Sequence, residues 1–448
     1  MQIGLGLSIT AQLRFGSSLS SYAVNDFDPS LVFDFEQNYY RTGGTDSTLS
    51  GSVTHAATSN ATMTDSDGNI KWRPHNLVKY SEQFDNAAWA KSSNVTITVN
   101  DEPSPDGTLT AEKYSVSAAT ARAVSQAVTL VTGAYTVSIW FKAIVDTSVV
   151  FGTTTDNSTF PILAADGWQL ISHSFTAVAG STVFWFYDVS GVAGDKFYVW
   201  GAHVHRSDLG GMANNPAQST GFETYVPTTS SAVYLPRVGH HIYNGNAWVN
   251  EGVLHESEAR TNIVNYSNDF ANAYWAAFRS VIATSTETDP AGGTSATKIT
   301  VNLNGQSGGV YRLSTPVNSA DEYTGFVMAK AGTIGGLQLS LHGSDVTGTR
   351  AVYNLTTGTV HSVGNLATAN IVDMGAGWYL CSITVTASNQ SGDIRVYFTD
   401  TRNLSNEGTA GIVYRSDGTW TAHLYSAQYE QGSTPSSYIP TSGSTVTR

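Results

Sequence analysis

The chain has 448 residues, a formal net charge of −13, and only 13% charged residues. That length is enough for two or three hydrophobic cores, and 11% aromatic residues exclude a disordered chain. The acidic balance and the lack of a lysine- or arginine-rich run exclude a nucleic-acid-binding surface and disfavour anionic lipid. No stretch is long and apolar enough to span a membrane.

Residues 1–75 precede any repeated sequence, and we predict that they form a small docking region. They contain one predicted strand, LVFDFEQ (31–37), and an Asp-Gly turn in DSDGN (65–69). The apolar start at 1–16 has no basic leader, so no signal peptide is predicted. This segment either docks on a partner or pairs with a sheet edge of its own chain. DSDGN resembles a calcium loop without the downstream glutamate; a hairpin turn explains it more simply, and structural calcium is left open.

From residue 76 the chain resembles itself, and five blocks of 76–233 recur in the same order in 262–448. The paired blocks are NLVKYSEQFDNAAWAK and NIVNYSNDFANAYWAA, SPDGTLTAEKYSV and DPAGGTSATKITV, YTVSIWFKA and YTGFVMAKA, GWQLISHSF and GWYLCSITV, and TYVPTTSSAV and SYIPTSGSTV. The offset grows from 188 residues (Tyr135 to Tyr323) to 210 (Gly167 to Gly377). The second copy therefore gains residues there, which we expect in surface loops.

Apolar and polar residues alternate with period two within the copies. In YTVSIWFKA, Val137, Ile139 and Phe141 face one way, and the residues between them face the other. Short alternating strands separated by turns rich in Asp, Asn and Gly are typical of an antiparallel sandwich or barrel. We therefore predict an all-β protein with two tandem antiparallel β-sandwich, jelly-roll-like modules, module 1 at 76–233 and module 2 at 262–448. Residues 234–261 have no counterpart in the first copy and are interpreted as a connector hairpin.

One short helical piece is predicted in each copy, in SEQFDNAAW and SNDFANAYW, where Ser81 and Ser267 stand at the N-cap position. Trp89 and Trp275 inside these pieces are predicted to pack in the core. Cys381 is the single cysteine, predicted to be a buried apolar residue rather than a reactive thiol. A chain without internal disulfides is typical of folding in a reducing cytoplasm.

The candidate binding residues are mainly aromatic, because sandwiches bind sugars mostly by stacking rings on pyranose faces. Two of them alternate along one strand with a pair of phenylalanines, and both faces of that strand cannot be core. The outward pair should therefore line a concave surface or a subunit contact. The candidates are Trp185 and Tyr187 on that strand, Arg395 and Tyr397 on the matching strand of the second copy, and Trp140, whose match is Met328.

No catalytic residue, metal centre or cofactor is predicted. A glycosidase needs two carboxylates across the scissile bond, and the acidic residues considered for this role lie in no recognisable signature. They are Asp101, Glu102, Glu256, Glu258 and Asp269. Neither a nucleophile elbow nor a phosphate loop occurs. His203 and His205 share a strand face but lack the further ligands that zinc requires.

Three motifs carry a family resemblance: DSDGNIKWRPHNLVKYSEQFDNAAW (65–89), GVLHESEARTNIVNYSNDF (252–270) and YIPTSGSTVTR (438–448). They resemble sequences that recur in bacteriophage tail-fibre, head-spike and related virion proteins with carbohydrate-binding-module-like sandwiches. The resemblance covers 65–448 and implies a virion component, assembled in the cytoplasm of the bacterial host, often as a homotrimer or another symmetric assembly. It implies no catalytic residue, and it leaves tail or capsid location open.

The sequence is best interpreted as a tail-fibre or head-fibre component that joins other virion subunits through its N-terminal region. Its repeated modules would adhere to cell-surface glycans by weak contacts multiplied through linkage and symmetry. A purely structural virion protein that binds no sugar is the alternative. A polysaccharide-degrading enzyme is a third possibility.

Overall fold

The computed structural model describes residues 22–23, 29–218, 220–301, 308–341, 348–388, 391–399, 407–408, 411–412 and 420–448. The docking segment predicted at 1–16 lies outside them. The described part is almost entirely β, arranged in multiple antiparallel sheets, with one helical turn, α1 (Leu49–Ser52), and one 3-10 turn (Ala164–Asp166). This confirms the predicted all-β fold class. Across the described residues, no helix has the length and apolarity needed to cross a membrane.

The N-terminal region contains six short strands. They are β1 (Leu31–Asp34), β2 (Tyr39–Thr42), β3 (Thr45–Ser47), β4 (Thr62–Thr64), β5 (Ile70–Trp72) and β6 (His75–Asn76). The first three form one sheet, and β4 and β5 form a hairpin. In the turn of this hairpin, the Asp65 carboxylate accepts hydrogen bonds from the backbone amides of Asp67 and Asn69. It also forms an ion pair with Lys71 Nζ at 2.9 Å. The oxygen-rich DSDGN segment is therefore held as a hairpin turn by Asp65.

Module 1 contains ten strands in two five-stranded sheets. The strands are β7 (Ala90–Lys91), β8 (Val95–Glu102), β9 (Ala111–Val116), β10 (Val124–Leu130), β11 (Gly133–Ala143), β12 (Thr147–Thr153), β13 (Asn157–Ile162), β14 (Trp168–Ala177), β15 (Gly180–Asp188) and β16 (Gly194–Arg206). Sheet I has the order β13-β12-β15-β10-β7, and sheet II has the order β14-β11-β16-β9-β8. The core between them includes Val137, Ile139, Phe141, Phe184 and Phe186, all at most 2% exposed, as the alternation predicts.

The segment between the modules contributes five short strands. They are β17 (Val233–Tyr234), β18 (Arg237–Val238), β19 (His241–Tyr243), β20 (Trp248–Asn250) and β21 (Val253–Leu254). Strand β17 pairs with β6, which lies at the start of module 1. Strands β19 and β20 form a hairpin, and the Asn244 side chain accepts the amides of Asn246 and Ala247 in its turn.

Module 2 follows the same plan with more strands. They are β22 (Thr261–Asn262), β23 (Ala276–Phe278), β24 (Ser280–Thr284), β25 (Thr297–Val301), β26 (Gly308–Pro316), β27 (Glu322–Ala331), β28 (Gly336–Leu341), β29 (Arg350–Asn354), β30 (Thr359–Val363), β31 (Ala367–Asp373), β32 (Trp378–Thr386), β33 (Ser391–Thr399), β34 (Glu407–Gly408), β35 (Gly411–Ile412), β36 (Trp420–Gln431) and β37 (Val446–Thr447). Sheet I is β23-β26-β33-β28-β29-β30, and sheet II is β24-β25-β36-β27-β32-β31. Each sheet thus keeps the module 1 strand order and gains one edge strand.

These two edge strands correct the expectation that the residues gained by the second copy lie only in loops. Strand β30 pairs with β29, and β31 pairs with β32 along its whole length. Val360, Ala369 and Ile371 pack against the module 2 core. An insertion beside a sheet edge can extend the sheet, because the edge strand offers unpaired backbone groups.

The predicted helical pieces are also wrong. Residues 80–89 form successive turns in which the amides of Gln83, Asn86 and Trp89 each donate to the carbonyl three residues earlier. The amides of Phe84 and Asp85 donate to the buried Glu112 carboxylate, so side-chain acceptors from another strand replace helical bonds. Trp89 and Trp275 are 2% and 4% exposed, which confirms that they are core residues.

The repeated motifs at the two ends of each module hold those ends together. In module 1 the buried Asn76 amide donates to the carbonyls of Ala202 and Val226, and its oxygen accepts the amides of Val78 and Val204. Asn262 makes the same four bonds in module 2. We call this arrangement the asparagine clasp. Every donor and acceptor of these two amides is satisfied, which explains why the N-[LI]-V motif recurs.

The chain divides into two compact units, each with its own core. One comprises residues 72–238 with the N-terminal region up to residue 60, and the other comprises 61–71 with 239–448. Cys381 is buried in the second core beside Ile383 and Val385, as predicted. The four-segment division drawn from the repeat stays a prediction.

Candidate functional site

Trp185 and Tyr187 lie on the outer face of sheet I in module 1, and both are half-buried. Their rings are 5.2 Å apart at 66°, and the Trp185 indole N–H donates to the Thr153 carbonyl at 3.0 Å. Arg122 lies over the Tyr187 ring at 5.5 Å. Rings at this angle present no common flat surface, and one of them is already covered by a cation.

Arg395 and Tyr397 lie on the matching face of module 2. Arg395 pairs with Asp393 at 2.8 Å, and Tyr397 contacts the ring of Phe278 at 5.4 Å. The pKa of the Tyr397 hydroxyl is raised by burial. This face therefore carries an ion pair and an aromatic contact rather than a free stacking surface.

Trp140 lies on the outer face of sheet II, where the structure brings together aromatic side chains far apart in sequence. Register places Trp140 directly opposite Trp200 on β16 and Leu170 on β14. Phe222, from the segment after β16, contacts Trp140 at 5.8 Å and Trp200 at 6.0 Å. Tyr225 lies 4.9 Å from Trp200. We call the opening beside these rings the aromatic cleft.

The aromatic cleft is a shallow surface depression open to solvent, with a cavity volume of only about 10 Å³, roughly the space of one water molecule. Its lining is Ser138, Trp140, Leu170, Gly201, His203, Gly221, Phe222, Thr224 and Tyr225. Leu170 is 43% exposed at the rim, and Ser138 at the floor is 7% exposed. No other described residue bonds the Ser138 hydroxyl or the Trp140 indole N–H. The cleft thus combines a half-buried indole with two polar groups that have no partner in the described part of the protein.

Gly201 shapes the cleft through its backbone. It lies in a bulge of β16 with a φ of +67°, and a Cβ atom there would stand 3.2 Å from Cδ1 of Trp140. Such a φ is costly for most residues other than glycine. Gly201 therefore permits both the bulge and the close approach of the indole.

No lysine, arginine, aspartate or glutamate lines the cleft. Burial, with His205 and His75 nearby, holds the pKa of His203 well below its ordinary value, and its Nε2–H donates to the His75 carbonyl at 2.9 Å. The Tyr225 hydroxyl donates to Glu82 at 2.9 Å, and burial raises the pKa of Tyr225 well above 10. The lining is therefore uncharged at neutral pH.

Sequence reasoning placed Trp140 among the candidates but missed Trp200, Phe222 and Tyr225. A partial signal exists, since Trp200 occupies the same place in the repeat as Tyr425. The decisive fact, that β11 lies between β14 and β16, comes only from strand pairing.

The five acidic residues considered for catalysis are engaged elsewhere, and none lines the cleft. Asp101 pairs with Lys113, Glu102 with Lys142, and Glu258 with Arg260. The other two hold backbone amides, Glu256 that of Ser437 and Asp269 that of Asn272. Within the described ranges, no group of three histidine, cysteine or acidic side chains is placed to hold a metal ion.

No protein-family model matches the chain, and no curated protein matches it. Similar solved structures include the tandem CBM22-1–CBM22-2 domain of Paenibacillus barcinonensis Xyn10C, at 8% identity and a TM-score of 0.27, covering 85% of this chain and 100% of that one. Another is the enzymatically active domain of bacteriophage CBA120 tailspike protein 4, at 18% identity and a TM-score of 0.24, covering 30% and 21%. TM-scores this low carry no argument about function.

Proposed function

We propose that the protein is a non-catalytic carbohydrate-binding protein and that the aromatic cleft of module 1 is its sugar site. The observation that carries the proposal is the half-exposed Trp140 indole above the unpartnered Ser138 hydroxyl, in a depression rimmed by Leu170 and Phe222. A pyranose presents an apolar face of C–H groups and a rim of hydroxyls. The indole matches the face, and Ser138 Oγ and the Trp140 N–H match the hydroxyls.

The uncharged lining favours neutral sugars. An acidic sugar would need a cation or a cluster of donors to replace the water around its carboxylate, and the lining offers neither. The cleft is far smaller than typical pockets for drug-sized ligands, which begin at roughly 300 Å³. A sugar ring would therefore stack on Trp140 at the surface, with most of the glycan in solvent.

Trp140→Ala is expected to weaken binding of neutral glycans at least tenfold, because burying a stacked aromatic surface contributes about 1.5–3 kcal/mol. The measurement is affinity electrophoresis and titration calorimetry of the full chain against glucan, galactan, mannan and xylan, with polygalacturonate as the acidic comparison. Circular dichroism confirms that the variant is folded.

Trp185→Ala is the matched control, since it removes a half-buried tryptophan from the opposite sheet of the same module. It should leave binding unchanged. Loss of binding in Trp185→Ala but not in Trp140→Ala would move the site to the Trp185–Tyr187 face. No binding of the unmodified chain to any of these glycans would contradict the proposal and favour the purely structural alternative.

We also propose a virion setting for this sugar binding, as a tail-fibre or head-fibre component that assembles with itself and with other virion subunits. Its support is the resemblance of the three sequence motifs to virion proteins. In such a setting weak single sites gain strength because linked copies raise the effective concentration. Peptide mass spectrometry of purified particles tests the location.

A further inference from the structure

The two modules place different side chains at equivalent positions on the outer face of sheet II. Ser138 on β11 corresponds to Phe326 on β27, and Trp140 corresponds to Met328. The pairing partners correspond as well, because Ser138 lies between Ser172 and His203, and Phe326 lies between Ser382 and Gln428. The two faces can therefore be compared residue by residue.

The module 2 face is closed where the module 1 face is open. Phe326 is 0% exposed and Met328 is 2% exposed, whereas Trp140 is half-buried. The Gln428 side-chain oxygen accepts a hydrogen bond from the Ile439 backbone amide, and its nitrogen donates one to the Ser436 hydroxyl. These hydrogen bonds hold the C-terminal segment against this face. Tyr438 is 3% exposed and lies 6.3 Å from Tyr425. Its counterpart Tyr225 in module 1 is 5% exposed and lies 4.9 Å from Trp200, so this pair does not distinguish the two faces.

The residue at the backbone bulge also differs between the two modules. Gly201 in module 1 corresponds to Ser426 in module 2, which has a φ of +50°. A Cβ atom at position 201 would crowd the Trp140 ring, whereas a flexible methionine at the position of Trp140 adapts to its surroundings. Gly201 with Trp140 in module 1, and Ser426 with Met328 in module 2, are thus two sterically compatible combinations.

Granting the sugar site proposed above, on which this inference rests, we propose that the residue at position 138 determines whether the face binds sugar. Serine leaves space above the sheet and offers a hydroxyl to the ligand. Phenylalanine at the same position fills that space from below. Of the two equivalent faces, that of module 1 is therefore a neutral-sugar site and that of module 2 is not.

Ser138→Phe tests the proposal by placing the module 2 residue in module 1. Ser138 is 7% exposed and the depression holds only about 10 Å³, so the new ring must displace neighbouring side chains at a cost of about 1–3 kcal/mol. The expected result is at least a tenfold loss of affinity for the neutral glycan that binds the unmodified chain most tightly, with a circular dichroism spectrum that does not change. Calorimetry of the unmodified chain should give one site per chain.

Ser172→Phe is the matched control, because Ser172 pairs with Ser138 from β14, faces the same way and is exposed outside the cleft. It adds the same ring and should keep full affinity. Ser138→Val is a second variant with a smaller side chain, for the case in which Ser138→Phe does not fold. It should lose part of the affinity, about three- to tenfold, since it removes one neutral hydrogen bond.

The two proposals fail in different ways. If the unmodified chain binds none of the glycans, the sugar-binding function itself is wrong. If Trp140→Ala abolishes binding but Ser138→Phe and Ser138→Val keep it, the function stands and the role of position 138 is wrong. Two equal sites per chain would also overturn the inference, since module 2 would then bind.

Discussion

Glu112 is the residue whose surroundings depart most from those of an ordinary surface carboxylate. It is 2% exposed, and one of its oxygens accepts the amides of Phe84 and Asp85 at 2.7 and 3.0 Å. Burial, and then the neighbouring Asp85 carboxylate, raise the pKa of Glu112 from 4.5 to about 8. The repeat places Thr297 at this position in module 2, so this carboxyl group has no counterpart there.

The raised pKa makes the stability of module 1 depend on pH. Because the folded pKa lies above the unfolded one, the contribution of Glu112 to stability is fully present below pH 4.5 and is lost as the pH rises to about 8. Glu112→Gln mimics the protonated acid, with an oxygen that accepts and a nitrogen that donates.

Glu112→Gln is expected to raise the free energy of unfolding at pH 9 by on the order of 2 kcal/mol and to change it little at pH 5. Urea denaturation of the full chain at both pH values measures this, and Glu36→Gln, at an exposed site, is the control. An equal effect of Glu112→Gln at pH 5 and pH 9 would contradict the assigned protonation.

At the scale of elements, the asparagine clasp links the first segment of each module to the long strand near its end. Asn76 and Asn262 are both 0% exposed, and each uses two donors and two acceptor sites. An aspartate of the same shape has no N–H group. It would leave two buried carbonyls without donors and place a charge beside them.

Asn76→Asp is therefore expected to destabilise module 1 by about 3 kcal/mol or more, and Asn262→Asp to do the same to module 2. Hydrogen exchange followed by mass spectrometry identifies which module loses protection. Asn100→Asp, at an exposed position in β8, should have no effect. Loss of protection in both modules from one substitution would show that the clasp does not act within its own module.

Many of the strands could be predicted from the sequence, because they follow from local patterns of residues. Alternation identified the inward faces of β11 and β15, and the repeat identified which strands of the two modules are equivalent. Three features depended on contacts between distant residues. The Glu112 carboxylate accepts hydrogen bonds from backbone amides that would otherwise bond within a helix. Strands β30 and β31 extend the edges of the two sheets, and pairing with β16 places Trp200 beside Trp140, 60 residues away in the chain.

At the scale of the whole molecule, the two modules differ in their buried titratable groups. His203 and His205 of module 1 are stacked at 4.7 Å, and His75, which directly precedes the module, lies 6.3 Å from His205. Burial lowers the pKa of His75 to about 3 and that of His205 to about 4. Arg73 and Arg206, which lie close by, also lower the pKa of His75.

The matching positions in module 2 are Thr261, Gln428 and Glu430. Glu430 is 0% exposed, and burial raises its pKa. The histidine cluster and Glu430 should therefore respond to acid with opposite signs. Glu112 in module 1 acts in the same direction as Glu430, because burial raises the pKa of both. The histidines favour the folded state above pH 6.5 and lose that contribution as the pH falls toward 4, whereas Glu430 favours it at low pH.

In a Glu112→Gln background, which removes the opposing carboxyl group, module 1 is expected to lose hydrogen-exchange protection before module 2 on acidification from pH 7 to pH 4. Peptides from 134–143 and 198–206 report on module 1, and peptides from 323–331 and 422–431 report on module 2. His205→Gln should move the loss in module 1 to lower pH, since it removes one group that must take up a proton. Earlier loss in module 2 would contradict the assignment.

The clasp has a consequence for how such a protein can arise and be re-engineered. Because it ties the beginning of a module to its end, the chain enters and leaves each sandwich at neighbouring points, as β6 with β17 and β22 with β37 also show. A unit of this kind can be duplicated in tandem, because the new copy folds without being threaded through the old one. Each copy is then free to diverge on the outer face of sheet II, as Ser138 and its counterpart Phe326 have done.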